Sequence, residues 1–319
     1  MNHRPLVSIC IPCHNGGPFV RQAVQSALDQ TWQDIEIIVV NDASTDESAS
    51  VLASFDDSRL TVIDEKCGSA PRTRNRALEQ AEGEYIKFFD ADDVISPGLI
   101  ERQIEKLKGR QDAIASSEWG RFYDDNLSTY RANPEPVWQD MEASDWLVKS
   151  WEKARPMCQP GMFLIPRTLI QKSGPWDTKL AEHSPCDDFE FFARVISNAN
   201  EVLFTPGETL YYRSEIEGSL SKQTSKKAVE AAYHSILQGT NALLSRRNDA
   251  ESRQSCASVL QNFIYTYYPN FPDLLKRMEA RVAELGGTNL RAGGPPRFQQ
   301  VQKFLGWKLA RRIQRLFGH

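Results

Sequence analysis

Three carboxylates crowd into four positions at Asp90, Asp92 and Asp93, with Ala91 between the first two. An Asp-x-Asp alone means little, because 20 Asp in 319 residues give roughly one by chance. Its setting carries more: the cluster directly follows the apolar run Tyr85-Ile86-Lys87-Phe88-Phe89, which has the pattern of a buried strand. Carboxylates this close repel one another unless a cation, or hydroxyl and amide donors, meet them. Oxygen ligands suit Mg²⁺ or Mn²⁺, ions that also bridge diphosphates. The alternative is an Asp-rich turn ahead of a helix opened by Ser96 as cap and Pro97 in its first turn.

The elements that must position these acids alternate with little slack. Residues 7–11 form a short apolar strand pattern ended by Pro12, and Val20, Ala23, Val24, Ala27 and Leu28 make one apolar helical face. Residues 35–40 are almost continuously β-branched, as a strand covered on both faces requires, and run into Asn41-Asp42. Ser44 and Glu47 have the spacing of a capping box for a helix reaching Phe55. A strand over 60–63, a helix over 74–82, a strand over 85–89 and a helix to about Lys108 complete four β-α units. Such a series implies a doubly wound, mainly parallel sheet, whose ligands sit beyond the carboxyl ends of the strands. Asn15, Asp42 and the Asp90–Asp93 cluster all fall there.

From Asp112 to Gln223 the pattern loosens. Helices are expected over 143–153 and 187–197, with extended segments over 162–165 and 210–213. Three helices follow over 226–245, 251–267 and 273–285. Gly293-Gly294-Pro295-Pro296 then forms a hinge before the last segment. The predicted organisation is an α/β domain over 1–222, divided at 110/111 into two halves, a helical extension over 223–292, and a hinge with a basic amphipathic tail over 293–319.

Composition excludes several classes. At 40% hydrophobic and 25% charged, the chain is neither disordered nor a small disulfide scaffold. Its net charge of −4 gives no general attraction to nucleic acid. No apolar run approaches the roughly 18 residues of a membrane span. The first twelve residues make a poor signal peptide, and six scattered cysteines read as reduced thiols, so a cytoplasmic location is expected.

The ordered motifs resemble the family 2 glycosyltransferases. Val7-Ser8-Ile9-Cys10-Ile11-Pro12-Cys13-His14-Asn15 is similar to the family's first strand and loop, and Glu36–Asp46 to its second block. Gly83-Glu84-Tyr85-Ile86-Lys87-Phe88-Phe89-Asp90-Ala91-Asp92-Asp93 resembles the run into the family's Asp-x-Asp. Gly174-Pro175-Trp176-Asp177 and Asp187-Asp188-Phe189-Glu190 resemble its acceptor-side blocks, and Tyr212-Arg213 closes a likeness covering roughly residues 5 to 222.

The resemblance implies a GT-A fold of the α/β class that binds a UDP- or dTDP-sugar with Mn²⁺ or Mg²⁺. Asp42 would accept from the base ring; Pro12, His14 and Asn15 would line that pocket, His14 standing where the family usually has Tyr. Asp90 and Ala91 would meet the nucleotide sugar, Asp90 on the ribose side, with Asp92 as metal ligand and Asp93 beside it. Arg74 would lie near the nucleotide, a solvated helical Arg being the alternative. Asp188 matches the catalytic base, with Asp187 either lifting its pKa or capping the helix. An attacking acceptor hydroxyl must lose its proton, and a carboxylate beside Phe189, Phe191 and Phe192 is desolvated toward the useful range. Single displacement inverts the anomeric configuration. Glu215 occupies a position where many relatives have a His, and would be a substitute oxygen ligand or a solvated loop residue. The Gln-x-x-Arg-Trp motif of processive synthases is missing, so transfer of a single sugar to a glycan, lipid-linked or small-molecule acceptor is expected. The competing readings are a nucleotidyltransferase-like enzyme and a non-catalytic sugar-nucleotide or glycan-binding protein.

The tail over 297–319 holds six Lys and Arg and no acid, which leaves 32 basic against 42 acidic residues elsewhere, a net of −10. Apolar residues interleave with these cations. Two readings stay open: peripheral contact with a membrane, or a terminal helix packed on the acidic body.

Overall fold

The computed structural model describes residues 4–154, 158–179, 185–215 and 224–316. The expected boundary at 222/223 and the last three residues of the tail lie outside them.

Four strands form the parallel part of the first sheet: β1 (Val7–Cys13), β2 (Ile35–Asp42), β3 (Leu60–Glu65) and β4 (Tyr85–Phe88), in the order β3-β2-β1-β4. The buried β-branched run of β2 lies between β1 and β3, covered on both faces as its composition requires. Pro12 does not end β1. That strand pairs with β4 only from Val7 to Cys10, so at Pro12 it has one neighbour, and a missing N–H is tolerated on the open side. Cys13 opposite Asn41 then brings the loops after β1 and β2 side by side.

Helices α1 (Gly17–Leu28), α2 (Ser48–Ala53), α3 (Ala70–Gln80) and α4 (Leu99–Leu107) flank this sheet. Three local expectations differ from what forms. No capping box joins Ser44 and Glu47. Instead Asp46 accepts from the Ser48 amide at 3.0 Å and from the Gly17 amide at 2.9 Å, while the Ser44 hydroxyl accepts from the Asn15 amide. Helix α3 starts at Ala70, four residues early, with Pro71 in its first turn. Ser96 caps no helix: its hydroxyl donates to Glu208 at 2.6 Å and accepts from the Thr209 amide, and α4 begins at Leu99. A buried sheet edge takes the serine that the pattern assigned to a cap.

The second sheet has the order β5-β10-β6-β7, from β5 (Val94–Ile95), β6 (Ala113–Tyr123), β7 (Asn126–Ala132) and β10 (Glu201–Arg213), with β8 (Met141–Glu142) also on β10. Leu164 bridges to Ala115 of β6, and the next residues, β9 (Ile165–Pro166), pair with β4. One extended segment therefore joins the two sheets. Helices α5 (Ala143–Trp151), α6 (Arg167–Ser173) and α7 (Asp187–Asn198) complete this half.

Helices α8 (Lys226–Arg246), α9 (Ala250–Tyr267) and α10 (Pro272–Glu284) agree with the expected spans to within a few residues. They share the main core, which runs from β1 and β2 through Phe191 and Phe192 of α7 to Val229, Leu260 and Met278. Gly239 permits the closest approach, since a Cβ there would stand 2.5 Å from the Phe189 ring. Helix α11 (Pro296–Leu316) packs Phe298, Ala310 and Trp307 inward and is interrupted at Gly306, whose φ is 72°.

Candidate active site

The loops after β1 and β2 are locked to each other by hydrogen bonds. His14 Nδ1 lies 2.6 Å from the Asp42 carbonyl oxygen, which assigns the ring proton to Nδ1 and leaves Nε2 to accept from Asn15 at 3.3 Å. Asn15 in turn accepts from the Thr45 amide at 2.8 Å. Asn15 and Ala43 both have left-handed backbone, with φ of 52° and 48°. Strain of this kind persists only where neighbouring contacts over-determine it, and it gathers at functional loops.

Asp42 is buried and its carboxylate orders the loop before α3. It accepts from the amides of Cys67 at 2.7 Å and Gly68 at 2.9 Å, and from the Thr73 hydroxyl at 3.0 Å. Gly68 has a φ of 79°, which turns consecutive amides toward the same acceptor. Pro12 is half-buried at the end of β1, and Ala91 lies where a Cβ on Gly16 would touch it at 3.6 Å.

Arg74 is the centre of the acid cluster. It is buried, so the solvated reading fails. Its Nη2 donates to Asp90 at 2.9 Å, its Nη1 donates to Asp187 at 2.9 Å, and Asp188 lies 3.6 Å away. The guanidinium also sits 4.5 Å from the centre of the Trp176 ring, which stacks on Phe191 at 4.0 Å. Burial alone would favour loss of its proton, but Asp90, Asp188 and Asp187 outweigh it and hold the cation. The end of β4 and the start of α7 are thus brought to one point.

The acids differ in their electrostatics. Burial, with Asp90 second, pushes the Asp92 carboxyl up to about 6. Asp93 is raised well above the usual range by burial and then by Asp92 and Asp90, yet Asp93 holds structure: it accepts from the Arg213 amide at 2.9 Å. Asp188 is also raised well above the usual range, by burial first and by its neighbour Asp187 second, with Arg74 opposing. Among the described residues, no hydrogen-bond donor meets Asp188 Oδ1. Asp187 both accepts from Arg74 and takes the Asp188 amide at 3.1 Å in the first turn of α7, whose cap position is Cys186. Glu215, two residues past β10, is exposed with a φ of 70°.

Three residues without an assigned role in the sequence reading complete the site. Thr73 and Trp176 hold Asp42 and Arg74 as described. Arg213 donates to the Asp92 carbonyl at 2.7 Å and lies between the rings of Phe19 and Phe122 at 4.6 and 4.5 Å. A Trp and an Arg inside recognisable blocks were the available signals. A groove of about 520 Å³ between α7 and α8 has none of the catalytic-candidate carboxylates in its lining.

A divalent cation fits this site only in one manner. Among the described residues, no group of three His, Cys, Asp or Glu side chains forms a metal cage. Asp90 gives its Oδ1 to Arg74, and Asp92 beside it is a carboxylate raised by burial and by Asp90 against the opposing Arg213 and Arg74. One carboxylate completed by substrate phosphates is a usual Mg²⁺ arrangement.

The two linked sheets, with acids gathered past the strand ends, define a GT-A-like fold. It matches S. aureus TarS residues 1–349, crystallised with UDP-GlcNAc, at a TM-score of 0.70 over 98% of this chain and 92% of that one, with 15% sequence identity. Residues 8–174 match the family described as Glycosyl transferase family 2, and the chain belongs to that family. It is 38% identical over 238 residues to the uncharacterized glycosyltransferase EpsJ of Bacillus subtilis, covering 71% of this chain and 66% of that one. It is 34% identical over 234 residues to the glycosyltransferase GlyG of Streptococcus pneumoniae, covering 68% and 73%. Against an uncharacterized glycosyltransferase of Rickettsia prowazekii, 33% identical, the match spans 61% of each chain. Membership of a sugar-transferring family sets aside the nucleotidyltransferase reading.

Proposed function

We propose that this protein transfers a single sugar, with inversion, from a UDP- or dTDP-sugar to a glycan, lipid-linked or small-molecule acceptor. The observation that carries the reading is the junction at Arg74, where Asp90 past the end of β4 and Asp187 at the start of α7 both accept from one cation, with Asp188 3.6 Å away. A donor diphosphate beside Asp90 and Asp92 and an acceptor hydroxyl beside Asp188 would then stand close together. The TarS fold relative, crystallised with UDP-GlcNAc, supports the donor class.

In this reading Pro12, His14 and Asn15 line the base pocket. A base N–H directed at Asp42 would share that carboxylate with Gly68. Asp90 meets the ribose side, and Ala91 leaves room for the donor. Asp92 would hold Mn²⁺ or Mg²⁺, which supplies neutralisation of the charge growing on the leaving diphosphate. Asp188 takes the proton from the attacking hydroxyl; its raised affinity for a proton and an Oδ1 that accepts no hydrogen bond among the described residues suit a general base. Asp187 and Arg74 orient it. Among the described residues no helix is long and apolar enough to cross a membrane, and the reading has the enzyme act in the cytoplasm, at or near the inner membrane face.

Calorimetry with a panel of UDP-, dTDP- and GDP-sugars, with and without Mn²⁺, tests the reading. Metal-enhanced binding of a uridine or thymidine donor is expected; binding of none of the panel, or of GDP-sugars alone, would overturn it.

A further inference from the structure

Helix α11 carries an apolar surface that the body does not cover. Phe304 is 87% exposed, Leu316 82%, Leu305 52% and Leu309 45%, and these are the exposed large apolar side chains among the described residues. Scattered single apolar residues are ordinary on a protein surface; four on one terminal helix form a patch. Its geometry is two-sided. Trp307 and Ala310, i and i+3, face inward, with Trp307 edge-on to Tyr265 at 4.7 Å and Tyr268 at 5.1 Å. Leu309 and Leu316, at i and i+7, form the opposite stripe of the same half-helix, while Arg312 reaches back over the Tyr268 ring at 5.7 Å. Lys308 reaches Glu279 at 2.8 Å and Arg315 donates to the Thr266 carbonyl at 2.9 Å, so the helix is fastened to α9 and α10 from its inner side.

Charge decides what the outer side faces. Arg297 and Lys303 are exposed, and no acid occurs from 297 to 319. Two copies meeting through this stripe would oppose like charges. An anionic bilayer meets the cations with phosphate and the apolar residues with its acyl boundary. We infer that the outer face of α11 docks on the anionic phospholipid surface of a membrane, lying in the interface without spanning it. The break at Gly306 lets its two halves follow that plane at separate angles. The inference deepens the proposed function by naming the surface where a lipid-linked acceptor is met, and its test uses no nucleotide sugar, so either can fail alone.

The full chain is sedimented with vesicles of phosphatidylcholine alone or with about 30% phosphatidylglycerol. Partition onto the anionic vesicles is expected to be at least about tenfold greater. The triple variant Phe304→Ser, Leu309→Ser, Leu316→Ser should lose it with an unchanged melting temperature, since all three side chains are exposed. Arg297→Glu with Lys303→Glu should lose it as well. No pelleting, equal pelleting on both vesicles, or equal pelleting of native and variant chains would overturn the inference. So would light scattering that shows a dimer for the native chain and a monomer for the triple variant, which would make the stripe a self-association surface.

Discussion

Arg74 Nη1 donates to Asp187 at 2.9 Å, joining residues 113 positions apart in the chain. With Nη2 on Asp90, this one guanidinium neutralises acids from both halves of the site. Removing one partner of a buried charge pair leaves the others uncompensated, at about 3–5 kcal/mol. Arg74→Met should therefore lose about that much stability in urea unfolding. Arg74→Lys keeps the charge without the forked geometry. It should fold and keep the acid limb of its donor-turnover profile near the native position, whereas in Arg74→Met, which loses the cation that lowers the Asp188 value, the limb should move to higher pH. An unmoved limb would separate Arg74 from the base.

Asp92 gives a pH dependence of definite sign. Its folded-state value, about 6, lies above the ordinary 3.8, so folding favours the protonated carboxyl. That stabilisation is complete below about pH 4 and is lost as pH rises through 6. The metal-free protein should thus gain about 1–3 kcal/mol at pH 7 from Asp92→Asn, because the variant needs no proton. The same variant should lose Mn²⁺-dependent UDP binding in calorimetry. Retained metal dependence would remove Asp92 from the metal.

Lys87 in β4 is wholly buried, donating to Gln103 at 3.0 Å and the Phe163 carbonyl at 3.3 Å. Burial pushes its ammonium down to about 7. The folded state favours the neutral amine, so stability from this group rises as pH climbs from 7 toward the ordinary 10.5. Lys87→Met should flatten the stability–pH curve between 7 and 10 and unfold no more easily than wild type at pH 6.5. A steep loss at pH 6.5 would show that the cation itself is needed.

Gly68 has open space where a Cβ would stand, so Gly68→Ala tests backbone conformation alone. At a φ of 79° alanine costs about 1–2 kcal/mol and would turn an amide away from Asp42. Thermal melts should show the loss, and UDP should bind several-fold more weakly. Unchanged UDP affinity would mean the loop does not serve the base pocket.

Much of this fold was legible because its signals are local. The β-branched run of β2 and the amphipathic periods of α8 to α10 give their elements directly, and the acids follow strand ends. The β6–β7 hairpin was not legible. Its two-residue turn is Asp124-Asp125, both with φ of 53°, in place of the glycine that usually marks such a turn, and Asp125 is engaged by Arg213 from β10. Strand β10 was legible only over its last residues, because Pro206-Gly207 reads as a turn where the structure has a bulge between Thr205 and Thr209. In the site the acids were visible and Arg74 was expected beside the nucleotide, but not as the cation that joins Asp90 to Asp187. Arg74 is an ordinary helical residue in sequence, and only its contacts with the start of α7 and the Trp176 ring make it a buried bridge.

In the proposed reaction Asp188 removes the acceptor's proton, and one comparison tests this directly. Release of UDP from the donor that binds, with candidate acceptors present, should be compared for the native chain and Asp188→Asn. Because the change leaves the nucleotide contacts in place, UDP affinity should stay within about threefold while turnover falls by a factor of about 10² or more. Turnover near the native rate in Asp188→Asn would contradict the claim.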